Sequence, residues 1–243
     1  MALVVCHSPK GGTGTTFVAA HLAMGLAERG ADVTLLTVNP ADTMALHFGV
    51  DPATQLPSLD GQALVVSTVS LRSHVGADTD PSFVRTLSEL AFLNPRSERC
   101  LVVDVPSGCS EFAKTLQGHA AAVVCPLSVA PDCIALLPAL IEQIGADQLA
   151  RTFFAINGLD ETRRLARHGS TFLGELLGAR LIARIRRDEA VPEAIAMLQP
   201  LARYAPSSIA LADVKAIANE VYGAIAPRAD AAGSPLPSES RAA

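Results

Sequence analysis

Nine residues near the start of the chain, Ser8-Pro9-Lys10-Gly11-Gly12-Thr13-Gly14-Thr15-Thr16, have the types and spacing to hold a phosphate. Three glycines let the backbone turn tightly enough for successive amides to face one anion. A helix opening behind them adds the positive end of its dipole. The hydroxyl of Thr16 stands where a Ser or Thr binds Mg²⁺ in the pattern GxxxxGK[ST]. Thr15 takes the place of the lysine in that pattern. That lysine reaches the β- and γ-phosphates, and losing one charged hydrogen bond costs about 1.5–3 kcal/mol, or about 10- to 150-fold in affinity. Lys10, at the start of the loop, is the cation left to compensate. The competing reading is a glycine turn with no ligand, which the order of strand, glycine loop and helix disfavours. His7, just before the loop, either touches phosphate or packs at the loop start.

Such a loop needs a strand to launch it and a helix to receive it. Apolar, β-branched runs at 2–6, 33–38, 63–69, 100–105, 120–125, 152–156 and 180–185 predict strands. Several are apolar throughout, as strands covered on both faces must be. Longer stretches at 16–29, 83–93, 110–118, 131–144, 162–177, 188–198 and 207–222 predict helices. In the second of these, Phe83, Val84, Leu87, Leu90 and Ala91 share one face, and Gly30 stands where the first should stop. The alternation predicts one α/β domain over residues 1–228, a doubly wound and mostly parallel sheet with helices on both faces. Ligands of such folds sit at the carboxyl ends of the strands. Residues 229–243 are small, polar and proline-containing, and are expected to form a disordered tail.

Composition agrees. Of 243 residues 49% are apolar and 18% charged, enough to build a large core and too apolar for a disordered chain. Mean hydropathy is +0.33, yet the longest weakly polar stretch, 120–131, is 12 residues, against about 20 for a membrane span. No span and no signal peptide is expected. Five cysteines, an odd number without a CxxC pair, suggest neither disulfides nor zinc but a reduced, cytoplasmic protein. A net charge of −5 argues mildly against a dedicated nucleic-acid binder.

Lys10-Gly-Gly-Thr-Gly resembles the loop KGGxGK[ST][ST] of the deviant Walker-A P-loop ATPases of the MinD/ParA group, and the resemblance runs to about residue 225. It implies ATP and Mg²⁺ as ligands, with Lys10, Gly11, Gly12, Thr13, Gly14, Thr15 and Thr16 around the phosphates. Lys10 matches the signature lysine that reaches the partner's nucleotide in an ATP-sandwich homodimer. Leu101-Val-Val-Asp104-Val-Pro106 matches the Walker-B strand, which makes Asp104, with Thr16, the Mg²⁺ site. Phe154-Ala-Ile-Asn157 matches the strand end whose asparagine reads adenine, and Gln199-Pro200 through Ser208 matches the lead into the last helix. Within that group the chain is most similar to the BcsQ (YhjQ) family of cellulose-biosynthesis accessory proteins. GGxGTT, Val50-Asp51, and Arg187-Asp188-Glu189-Ala190 followed by Ala194 and Gln199-Pro200 carry this. It implies other cellulose-secretion components as partners, which would recruit the protein to the inner face of the membrane or a cell pole.

The departures bear on hydrolysis. Thr37-Val38-Asn39-Pro40 stands where the group has Asp-x-Asp-Pro. Asn39 can orient water but cannot accept its proton. With Thr15, this predicts binding with slow or absent turnover. Asp42 is the alternative water-positioning acid, or simply a helix cap. Arg186 stands where MinD-like proteins often have proline; it either stacks on adenine or is a surface arginine.

Seven arginines lie between 163 and 187. Arg163, Arg164 and Arg167 have helical spacing and present a solvated ion-paired face, a partner face or a DNA-holding face; the second function weighed is accordingly a cycling ATPase that positions DNA or cargo. Cys100 and Cys125 fall in apolar strands as buried thiols rather than cluster ligands. Ser107-Gly108-Cys109-Ser110 is not a hydrolase GxSxG. With no Trp and only Tyr204 and Tyr222, no aromatic platform for a glycan is visible.

Overall fold

The computed structural model describes residues 2–39, 43–94 and 99–225. Its strands are β1 (Ala2–His7), β2 (Asp32–Thr37), β3 (Leu64–Val66), β4 (Val69–Ser73), β5 (Arg99–Val105), β6 (Ala122–Leu127), β7 (Thr152–Leu159) and β8 (Leu181–Arg186). They form one sheet in the order β3-β4-β2-β5-β1-β6-β7-β8. Every pairing is parallel except β3–β4. The helices are α1 (Thr15–Ala27), α2 (Phe83–Glu89), α3 (Ser110–Gln117), α4 (Pro131–Gln143), α5 (Ala146–Leu149), α6 (Arg164–Leu177), α7 (Ala190–Ala196), α8 (Leu201–Tyr204) and α9 (Ile209–Ile225).

The central strands β1 and β6 are buried at every position and β5 at all but its first, which is why they are almost wholly apolar, whereas the edge strands β3 and β8 are partly exposed. Val4 and Cys6 of β1 face the cluster built with α1 and α9, whereas Leu3 and Val5 face the one built with α2 and α3. Cys125 and Leu127 of β6 and Phe154 and Ile156 of β7 continue that second face under α4 and α6. α1 is buried along most of its length. It lies close against α9, because any Cβ on Gly25 would stand 2.6 Å from that of Ala218. β5 lies on one side of β1 and β6 on the other. The chain therefore reverses its direction of winding at β1, and the crevice that this opens sits at the carboxyl end where the glycine loop begins.

Two expected elements differ. Residues 63–69, expected as one strand, are β3, a two-residue turn and the start of β4, with Leu64 opposite Leu71 and Val66 opposite Val69. The turn residues Ser67 and Thr68 have φ of 50° and 64°, a conformation normally signalled by Asn-Gly. The helix expected to reach 93 stops at Glu89. Ala91 takes φ 58° and the Phe92 amide donates back to Leu87 O at 2.7 Å, a Schellman closure without its usual glycine. Asp42 and the expected tail 229–243 lie outside the described residues. Among the described residues no helix is long and apolar enough to cross a membrane.

Candidate nucleotide-binding site

β1 delivers the loop to the carboxyl edge of the sheet. His7 ends the strand packed, with its Nδ1 3.2 Å from Val105 O and its pKa lowered by burial. Gly12 and Gly14 have φ of 79° and 81°, which a residue with a Cβ rarely adopts. Gly14 opens α1, and its carbonyl accepts from Val18 N at 3.0 Å. Gly11 passes close to β5's exit, since a Cβ there would stand 3.2 Å from Ser107 Oγ. Thr13 Oγ1 donates to Lys10 O at 3.3 Å and lies 3.4 Å from Thr15 Oγ1.

Two long-range contacts tie the loop to the sheet. Thr16 Oγ1 donates to Asp104 Oδ2 at 2.8 Å, across the β1–β5 pair. Asp104 is 2% exposed. Asn157 of β7 donates its amide to Thr13 O at 2.9 Å. The same amide lies so close to Gly14 that any Cβ would collide with it. On β2's exit Thr37, which replaces an acid, is buried; its hydroxyl accepts from Asn39 N at 3.2 Å and its carbonyl from His74 N at 2.9 Å.

Lys10 extends over the surface to Asp132 in the first turn of α4, 2.8 Å away. This pairing raises the lysine pKa and lowers that of the carboxyl. Lys10 is therefore engaged within its own chain. Asp132 was not among the residues singled out from sequence, because the two lie 122 positions apart with no motif joining them.

Beside Asn157 is an open cavity of about 220 Å³, bordered by Phe17, Ile185, Arg186, Val191 and Pro192 among others. Arg186 is held in a fork by Asp213 of α9. Its backbone N and Nε donate to Oδ2 at 3.0 and 2.8 Å and its terminal nitrogen to Oδ1 at 2.7 Å. The pair holds the Asp213 carboxyl below its usual range. Asp188 closes the same corner. It accepts from Ser208 Oγ at 2.6 Å and from the amides of Ala190 and Ala210 at 3.0 and 3.4 Å, so one carboxylate caps both α7 and α9. Sequence reading noted Asp188 and Ser208 in separate segments; the fold joins them.

A family model described as cellulose biosynthesis protein BcsQ matches residues 1–57 and 70–221. The chain belongs to that family. The stretch of this BcsQ-family chain left unmatched, 58–69, contains the β3 edge and its turn. Among proteins of curated function none matches the chain in sequence. Solved structures share the fold. A ParA family ATPase from Chlorobium tepidum TLS is 17% identical with a TM-score of 0.71, over 90% of this chain and 98% of that one. MinD from Aquifex aeolicus is 15% identical with a TM-score of 0.71, over 92% and 97%. MinD from Pyrococcus horikoshii OT3, solved with Mg-ADP, is 19% identical with a TM-score of 0.65, over 90% and 95%. These likenesses fix the fold as the P-loop NTPase architecture of MinD and ParA.

The arginine cluster divides into distinct environments. Arg187 pairs with Glu189 and Arg186 with Asp213. Arg180 donates to Leu149 O and Arg184 to Ser170 Oγ. Arg167 donates to the carbonyls of Glu161 and Thr162. No carboxylate among the described residues pairs with Arg163, Arg164 or Arg167. Burial pushes the thiols of Cys6 and Cys125 up and that of Cys100 to about 12. Such thiols are poor ligands and nucleophiles.

Proposed function

We propose that this member of the BcsQ family is an ATP–Mg²⁺-binding accessory protein of a bacterial cellulose synthesis and secretion system, working as a nucleotide-dependent dimeric interaction module with slow or absent hydrolysis. The observation that carries the reading is the Thr16–Asp104 pair at 2.8 Å beneath a glycine loop that lacks the lysine at Thr15. A hydroxyl and a carboxylate are the hard oxygen donors that Mg²⁺ takes, so these residues fit the ion. When bound, Mg²⁺ neutralises phosphate charge. Gly11, Gly12, Thr13 and Gly14 cradle the phosphates through their backbone, and Thr15 offers a hydroxyl in place of a cation. The base lies in the cavity beside Asn157, with Arg186 along its wall.

At the reacting end, Asn39 orients water without accepting its proton. Phosphoryl transfer depends on positioning and charge neutralisation, and both Thr15 and Asn39 withhold charge there. Lys10 exchanges Asp132 for the partner subunit's nucleotide as the dimer forms, so nucleotide state and dimer state are linked. The protein solved with Mg-ADP supports the ligand class by analogy of fold. The deciding experiment is to incubate the protein with ATP and Mg²⁺, remove free ligand, denature it and identify the bound nucleotide by chromatography. Intact ATP is expected; stoichiometric ADP overturns the locked-switch reading.

The unpaired Arg163, Arg164 and Arg167 favour a second reading, a cycling ATPase that positions DNA or cargo. ATP-dependent, salt-sensitive retention of random duplex DNA at physiological salt would establish it in place of the first.

A further inference from the structure

β8 ends at Arg186, whose guanidinium is fixed from another element. Asp213 stands 27 positions on, in α9, and accepts three bonds from this one residue: from the backbone N and Nε at Oδ2, 3.0 and 2.8 Å, and from a terminal nitrogen at Oδ1, 2.7 Å. Two parallel bonds to one carboxylate hold a guanidinium in a single plane. The third ties the same carboxylate to the strand end, so neither partner turns without the other. The Arg186 side chain is 42% exposed and that of Asp213 16%. The carboxylate is thus the covered partner, while the arginine borders the cavity beside Asn157. Ala210, one turn before Asp213 on α9, borders the same cavity.

Folding stability does not account for this arrangement. A partly exposed ion pair contributes little, and α9 is already docked through Val214, Ile217, Ala218 and Val221, all buried in the core. Arg187, the next residue, makes the pairing common at a surface: its partner is Glu189, two positions away, and both side chains are mostly exposed. Arg186 is instead braced across the fold. Nε–H and one terminal N–H are consumed by Asp213, and no other described residue accepts from the guanidinium. Its flat face and far edge are left to a ligand. Charge matters here too. A bare guanidinium beside the cavity would draw a polyphosphate toward the place of the base, and the Asp213 carboxylate offsets that attraction.

We infer that Asp213 is a positioning residue of the nucleotide site, acting through Arg186: it holds the guanidinium as a preformed flat wall on which the base of a nucleoside triphosphate stacks, and offsets its charge so that the phosphates go to the glycine loop. Arg stacks well on aromatic faces. A wall set before the ligand arrives loses no side-chain freedom on binding, and that saving appears as affinity. The inference rests on the nucleotide-binding reading and adds to it a residue of α9 that never touches the ligand.

The test compares two ligands of the full chain by titration calorimetry in Mg²⁺: ATP, and inorganic tripolyphosphate, which suits the glycine loop and carries no base. In Asp213→Asn, ATP binding is expected to weaken about three- to tenfold, the cost of ordering one long side chain anew, while tripolyphosphate binding does not weaken. Arg186→Lys, which keeps the charge but cannot form the fork, gives the same pattern. In the Arg186→Ala background, adding Asp213→Asn costs ATP nothing further, as a residue acting through its partner requires. Unchanged ATP affinity in Asp213→Asn overturns the inference. So does an equal loss of tripolyphosphate, which would make the fork a support of the fold alone, and so does additivity in the double variant. Wild-type protein that binds tripolyphosphate as tightly as ATP keeps its phosphate loop and loses the base wall. Wild-type protein that binds neither ligand overturns the nucleotide reading itself, and the inference with it.

Discussion

At Thr15 the missing charge is a property of one side chain, and restoring it tests the reading directly. The hydroxyl lies 3.4 Å from Thr13 Oγ1 in a loop whose backbone is already wrapped. Thr15→Lys is expected to tighten ATP binding about 10- to 150-fold, the worth of one charged hydrogen bond, as measured by titration calorimetry; unchanged affinity would mean that Lys10 already supplies that charge. Asp132 poses the complementary question. Asp132→Asn removes the partner that holds Lys10 at 2.8 Å, so ATP should drive dimerisation at lower protein concentration, visible in sedimentation velocity. Lys10→Ala should abolish the dimer in the same assay, and a dimer indifferent to both changes would remove Lys10 from the interface. The sequence made Thr16, Asp104 and Asn157 legible because each closes a strand or loop with a pattern around it. Asp132 and Asp213 carry no such pattern. Their pairing with Lys10 and Arg186 forms only once the helices are docked, and an aspartate on an exposed helix has many equivalent uses.

At the scale of elements, the corner formed by α7 and α9 hangs on Asp188. One carboxylate accepts from the Ser208 hydroxyl and from the Ala190 and Ala210 amides, the amides being orphan donors that a helix start otherwise leaves to water. Asp188→Ala should cost about 1–2 kcal/mol, and for a chain of this size lower the melting temperature by about 2–8 °C. Because the same corner walls the cavity beside Asn157, ATP should restore part of that loss; a variant that melts with the wild type would show the caps to be redundant. Strand and helix order were legible because the central strands are apolar on both faces, whereas helices such as α3 and α6 are apolar on one. Their ends were legible where glycine marks them. Gly30, at φ 87°, closes α1 with Ala31 N on Leu26 O, as expected from its residue type. The same closure at Ala91 and at Leu198, whose φ are 58° and 50°, uses residues that pay a steric cost for the left-handed conformation and so give no sequence signal. Ser67 and Thr68 hide the β3–β4 turn for the same reason.

On the scale of the whole molecule, two buried histidines set an acid limit. His21 on α1 and His47 on the 3-10 turn Met44–Phe48 stack edge-on with centroids 5.6 Å apart, against Phe17. His21 Nδ1 is 2.9 Å from Phe17 O, and its Nε2 is buried without a partner. Burial lowers the His21 pKa to about 4, and burial together with His21 lowers that of His47 to about 3. Both are ordinary histidines near 6.5 once the chain unfolds. Between these limits the unfolded state binds protons that the native state refuses, so stability is intact above about pH 6.5 and is lost as pH falls. At pH 5 each histidine should have removed about 2 kcal/mol, together a large part of a typical 5–15 kcal/mol. The carboxylates held by Arg186 and Ser208 act in a lower window. Asp213 and Asp188 have depressed pKa values, so what they contribute is present above about 3.9 and fades only below it. Urea unfolding followed from pH 7.5 to 5 therefore isolates the histidines. The midpoint should fall steeply in the wild type and less steeply in His47→Phe, which keeps an aromatic ring against Phe17 while removing one proton site; His7, whose pKa burial also lowers, adds a slope of the same sign to both proteins. A slope unchanged in that variant would mean that His47 is not buried neutral against the helix that carries the phosphate loop.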